Sequence, residues 1–182
     1  MKCKPTEIPD VKLIELDVFE DERGFFMESF NTEKFADLGI PTEYVQDNHS
    51  YSKKGVLRGM HYQLTQTQGK LIEVISGVIF DVAVDMRKHS LTFGKWIGIT
   101  LSADERSVLW IPGGFAHGFY VTGDHAEIKY KVTDYYNVDG ERTLLWNDSD
   151  INIDWPLENG RAPLLSPGDA AGTPFSGIDV FE

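Results

Sequence analysis

Four stretches of the chain gather side chains that can move protons or hold anions. The densest is QDNHSYSKKGVLRGMHYQ (46–63), a polar loop that runs into a strand carrying Arg58 and His61. Side chains alternate along a strand, so His61 shares a face with Leu57, Gly59 and Gln63, while Arg58 points the other way. Both reach one pocket only if Gly59 marks a bulge or bend. A surface arginine and a core histidine fit the same spacing. In AEIKYKVTDYY (126–136), Tyr130 and Tyr136 share a face, about 20 Å apart along a regular strand. That span suits a long ligand touched at both ends, and it equally suits two amphipathic wall residues. DERGFFMESF (21–30) begins with Arg23 followed by aromatics, able to clamp a phosphate and a ring or to serve as an ordinary apolar strand. WIPGGFAHGF (110–119) places His117 three residues after Gly114.

The elements that must position these residues are mostly strands. Segment 71–87 is rich in Val and Ile, and its second half alternates Asp81, Ala83, Asp85 and Arg87 against Val82, Val84 and Met86. Gly77 in its middle predicts a hairpin or tight corner. Further strands are expected at 11–19, 24–30, 43–46, 55–63, 95–101, 107–111, 117–121 and 126–136. One helix is expected at 32–38, with Asn31 as N-cap and Gly39 as its stop. After Trp155-Pro156 the chain is rich in Pro, Gly and Ala, which predicts a tail over 157–182 that wraps the strands. Many short strands with Gly and Asp turns point to an all-β sandwich or jelly roll rather than a βαβ fold.

Composition narrows the chemistry. The 182 residues fit one domain, and that length buries a core without disulfides. The lone cysteine, Cys3, builds neither a disulfide framework nor a cysteine-based metal site. With 17 basic against 29 acidic residues the net charge is −12, the wrong balance for a nucleic-acid partner. An anionic ligand then needs a local cluster of Arg and Lys. No apolar run is long enough for a membrane span, and the N-terminus has no secretory h-region, so the expected location is cytoplasmic. Dinucleotide, Walker and nucleophile-elbow signatures are absent. The run from Asp148 to Asn152 imitates the start of an EF-hand loop, but Ile153 and Asn159 stand where glycine and glutamate are needed, so it reads as an acidic turn.

Pro-Gly-Gly with a following histidine matches the second half of the cupin pattern, a small jelly-roll barrel. Metal-binding cupins carry His-x-His and a glutamate in the first half; here His61 stands alone between Met60 and Tyr62, so no metal is expected. In order, DERGFFMESF, QDNHSYSKKGVLRGMHYQ, QGKLIEVISGVIFDVAVDMRKHSLTFG, IPGGFAHGF, YKVTDYY and WNDSDINIDWP resemble the dTDP-4-dehydrorhamnose 3,5-epimerase family over about residues 17–170.

The resemblance implies a cupin-type jelly-roll barrel with a few short peripheral helices. It implies cofactor-free inversion of C3 and C5 in dTDP-4-dehydro-6-deoxy-D-glucose. His61 would be the general base, oriented by Asp169; Tyr130 would be the proton donor, and Lys70 would support the enolate oxygen. Arg23, Phe26, Glu28, Gln46, Asp47, Asn48, Arg58, His117 and Glu141 would hold the nucleotide sugar, with Tyr136 stacked on the thymine. The active unit would be a homodimer that exchanges N-terminal strands, about 11–30. Gly168 stands where the family often has lysine, and Met60 where it has leucine. Relatives that invert only C3 or only C5 share these motifs, and a non-catalytic sugar-nucleotide-binding cupin is a further alternative.

Overall fold

In the computed structural model, which describes residues 1–182 apart from the Asn159 side chain, two long strands organise everything else. These are β7 (Lys70–Asp85) and β10 (Phe115–Val132), antiparallel along almost their whole length. Each changes its second neighbour halfway. The first part of β7 pairs with β9 (Ser107–Ile111) and its later part with β8 (Trp96–Ser102). The later part of β10 pairs with β5 (Gln46–Lys53) and its first part with β6 (Leu57–Gln63). The order continues from β9 to β2 (Lys12–Glu15) and β1 (Lys2–Lys4), and from β6 to β11 (Glu141–Thr143). Two antiparallel arms therefore share β7 and β10, the arrangement of a jelly roll.

Sequence alternation decides what each arm buries. Inner positions such as Ile72, Ile79, Ala83, Ile97, Leu109, Phe119 and Ile128 meet in one core cluster between the arms. Outer positions of the first arm, including Ile14, Leu71, Val108 and Trp110, pack under α1 (Thr32–Asp37) through Phe35. The Asn31 side chain accepts the Lys34 N–H at 3.1 Å, which caps this helix as expected. Outer positions of the second arm, including Leu57, Met60, Val82, Val84 and Met86, are covered by Leu157, Leu165, Phe175, Ile178 and Phe181 of the tail. Short bridges at Leu164, Thr173 and Phe181 stitch the tail down.

Several sequence expectations change. Residues 71–87 form no hairpin: β7 continues through Gly77, but its register with β10 shifts on both sides of this residue and its second neighbour changes there; Gly77 has φ 83° and lies so close to the His125 carbonyl that a Cβ would sit 1.8 Å from its oxygen. Residues 122–125 of β10 bulge opposite Val78, and the register shifts there. The predicted strands 117–121 and 126–136 are thus one element, which ends at Val132. Beyond it the Asp134 carboxylate accepts the Tyr135 N–H at 2.8 Å, a local bond that competes with the ladder. The predicted strand 43–46 and the polar loop after it are replaced by β5. The segment 11–19 divides into β2 and β3 (Val18–Asp21), and β3 forms a separate ribbon with β4 (Gly24–Met27). The acidic turn at 148–152 is as expected, with Asp148 Oδ1 accepting the N–H groups of Asp150 and Ile151.

Candidate active site

Between the arms lies a cavity of about 390 Å³, and its wall is built by strand parity. Lys70 and Ile72 project from β7, Ile128 and Tyr130 from the later part of β10, and His117 and Phe119 from its first part. The switch from odd to even positions along β10 follows from the 122–125 bulge. Arg58 and His61 of β6 both line the cavity although they differ in parity. The register between β6 and β10 shifts at this point, and Gly59 has φ 134° with its Cα packed against Gly118. This is the bend that two inward-facing side chains three apart require. β11 adds Glu141 and Thr143, β5 adds Ser50, and the tail adds Ser166, Gly168 and Asp169.

Two histidine–aspartate pairs stand on this wall. His61 Nε2 lies 2.7 Å from Asp169 Oδ1. Asp169 sits in α2 (Pro167–Ala170) and is buried. Burial alone would raise its carboxyl, but hydrogen bonds from His61, the Ser166 hydroxyl and the Gly59 N–H hold it down at about 2. A carboxylate at Nε2 favours the Nε2–H tautomer and leaves Nδ1 as the basic nitrogen. In the second pair, His117 Nε2 lies 2.9 Å from Asp81 Oδ2. Burial lowers the His117 pKa, against the pull of Asp81.

The other groups have complementary character. Burial pushes the Lys70 ammonium down to about 8, with Asp81 and Glu141 opposing the shift. Its Nζ donates to the His61 carbonyl at 3.4 Å. Burial raises the Tyr130 phenol, which keeps it a proton donor at neutral pH. The Arg58 guanidinium is fixed by Ser52 Oγ at 2.9 Å and the Tyr51 carbonyl. In a protein of net charge −12, Arg58 and Lys70 form the local cationic spot that an anionic ligand needs. Among the described residues, no three His, Cys, Asp or Glu side chains are grouped as metal ligands would be.

The structure thus gathers His61, Tyr130, Asp169, Lys70, Arg58, His117 and Glu141. Tyr136 lies past the end of β10 and reaches the site indirectly, its hydroxyl donating to Glu141 Oε2 at 2.8 Å. Gln46 and Asn48 lie on β5, hydrogen-bonded to each other, off the cavity wall. Asp47 points outward and pairs with Lys131 at 3.0 Å. Arg23 and Phe26 are on the β3–β4 ribbon, away from the cavity; Arg23 pairs with Asp21 and Phe26 is 71% exposed. Glu28 follows the ribbon and pairs with Lys34 at 2.7 Å. Sequence reasoning missed Asp81 and Ser166 as partners of the site. Asp81 left a signal, an acid alternating with Ala83 on one face of a Val-rich strand; Ser166 left only its N-cap position three residues before Asp169.

The model of the family described as dTDP-4-dehydrorhamnose 3,5-epimerase matches residues 5–176. A protein of that name from Shigella flexneri is 56% identical over 183 residues, covering all of this chain and 99% of its own. Another, from Neisseria gonorrhoeae, is 60% identical over 92% of this chain, which spans half the length of that protein. A solved dTDP-6-deoxy-D-glucose-3,5-epimerase from Legionella pneumophila, in complex with dTDP-4-keto-L-rhamnose, superposes with a TM-score of 0.93 at 50% identity, covering 98% of this chain and 94% of that one.

Proposed function

The chain belongs to the dTDP-4-dehydrorhamnose 3,5-epimerase family, and from that premise we infer that its cavity inverts C3 and C5 of dTDP-4-dehydro-6-deoxy-D-glucose to give dTDP-4-dehydro-L-rhamnose. One observation carries the reading. A carboxylate-paired imidazole, a phenol kept protonated by burial and a buried ammonium line a single cavity.

The hydrogens at C3 and C5 flank the C4 ketone, so losing either one leaves an enolate with its charge on the C4 oxygen. His61 takes the proton at Nδ1, while Asp169 holds the ring and stabilises the imidazolium. A positioned base of this kind contributes ~10²–10⁴ in rate. Lys70 offers its ammonium to the enolate oxygen, worth ~10²–10³ more. Tyr130 delivers its phenolic proton to the other face of the same carbon, which inverts it. The phenolate regains a proton from water and the imidazolium returns one, so each inversion is balanced and involves no electron transfer. Arg58, His117 and Glu141 hold the sugar and diphosphate, with Gln46, Asp47, Asn48 and Tyr136 extending the site toward the nucleotide.

Arg23, Phe26 and Glu28 enter this reading from a second copy of the chain. Within their own chain, β3 and β4 form a separate two-stranded ribbon touched by Arg106, which stacks on Phe25 and pairs with Glu20, while Phe19 and Phe26 stay exposed, and a two-stranded ribbon is marginal in water by itself. Since β2 pairs within its own sheet, the part of 11–30 free to be exchanged is this ribbon. A homodimer would lay it against the neighbour's cavity. No helix among the described residues is long and apolar enough to cross a membrane.

The test is NMR of the 4-keto substrate incubated with the protein in D₂O. Deuterium entering at both C3 and C5 is the expected result; label confined to one carbon would reduce the activity to a single inversion.

A further inference from the structure

The Asp169 carboxylate has two equivalent oxygens and a side chain free to turn, yet the base needs one fixed arrangement. Its Oδ1 faces His61 Nε2 at 2.7 Å and accepts the Gly59 N–H at 3.2 Å. Its Oδ2 accepts the Ser166 hydroxyl at 2.7 Å. The same hydroxyl oxygen accepts the Asp169 N–H at 3.1 Å as the N-cap of α2. Ser166 is therefore held from both sides: its lone pair is committed to the helix backbone, which leaves its proton for Oδ2. Pro167 at the start of α2 presets the backbone between the two residues.

We propose that Ser166 is a positioning residue for the His61–Asp169 pair, its hydroxyl pinning one carboxylate oxygen so that the other faces the imidazole. The proposal rests on the reading of His61 as the base. Without the hydroxyl, Oδ2 loses its donor, the carboxylate is held only by the Gly59 N–H and His61, and the Nε2–H tautomer is less firmly fixed.

The test separates this role from capping. Glycine is nearly as good an N-cap as serine, so Ser166→Gly removes the hydroxyl with little effect on α2. In Ser166→Gly we expect kcat to fall about tenfold with KM within about twofold, as for a loosened reacting geometry. Ring ¹⁵N NMR of the free protein should show His61 passing from a single Nε2–H tautomer to a mixture. Ser166→Thr, which keeps a hydroxyl, should restore both readouts. An unchanged tautomer and kcat in Ser166→Gly would overturn the proposal, and so would a Ser166→Thr variant as impaired as Ser166→Gly. His61→Asn run in parallel keeps the two readings apart. Full turnover in that variant would remove the base assignment, while the tautomer measurement would still judge Ser166.

Discussion

His61 and His117 are register partners on β6 and β10, each with an aspartate oxygen within 3 Å, and yet they differ in exposure and in where the carboxylate comes from. The His61 side chain is 36% exposed and meets a carboxylate brought in by the tail; that of His117 is 12% exposed and meets one from the neighbouring strand β7. Burial also lowers the His117 pKa, so this ring is held neutral. A base must gain and lose a proton while touching a ligand, which suits the open ring. A neutral, buried ring suits a fixed donor in the wall. The contrast teaches that a histidine–aspartate contact is not itself a catalytic signature; access and the origin of the carboxylate decide.

The sharpest way to break the comparison is to remove each ring in turn. His61→Asn should lose ~10²–10⁴ in kcat while still binding dTDP, because Asp169 retains its bonds from Ser166 and Gly59. Isotope exchange at C3 and C5 followed by NMR would measure the loss, and a variant within a few-fold of wild type would erase the distinction. His117→Ala should instead leave the base in place, raise KM through the lost substrate contact and lower stability. It removes a hydrogen-bond donor from the buried Asp81 carboxylate, at a cost of about 2 kcal/mol in chemical denaturation. Equal stability of the two variants would show that burial does not separate the pairs.

A smaller effect comes from pH. Lys70, lowered to about 8, should lose its ammonium in mildly alkaline solution, so turnover at pH 9 should be down by about tenfold if only the charged form supports the enolate. Stability should move the other way. A lysine whose folded pKa lies below its unfolded value binds more protons when unfolded, so the folded state gains as pH rises from about 8 toward 10. Activity that holds level across this range would remove Lys70 from the enolate.

These contrasts also explain what could be read in the sequence. The all-β class and the two faces of 81–87 were legible because apolar and polar positions alternate cleanly there, and α1 was legible from its Asn31 cap and Gly39 stop. The strand β5 was not, because Gln46, Asn48, Ser50 and Ser52 on one face are as polar as Asp47, His49 and Lys53 on the other, which leaves no apolar period to detect. The bend at Gly59 was legible as a condition, since Arg58 and His61 cannot otherwise share a wall. The side-by-side placement of His61 and His117 was not, because it depends on a register shift between strands more than fifty residues apart. Asp169 could be carried over only through resemblance, since nothing in the spacing from 61 to 169 says that the tail returns to the cavity.

The tail's route has one more consequence. The carboxylate that orients His61 arrives on a segment laid over the finished barrel and fastened by short bridges at Leu164 and Thr173. A protease nick in the exposed stretch at 161–162 would therefore leave the wall of the pocket standing and the segment that bears Asp169 held by its bridges and packing alone. Such a clipped molecule could keep its thermal transition and still be catalytically idle, which makes limited digestion a means of uncoupling integrity from competence.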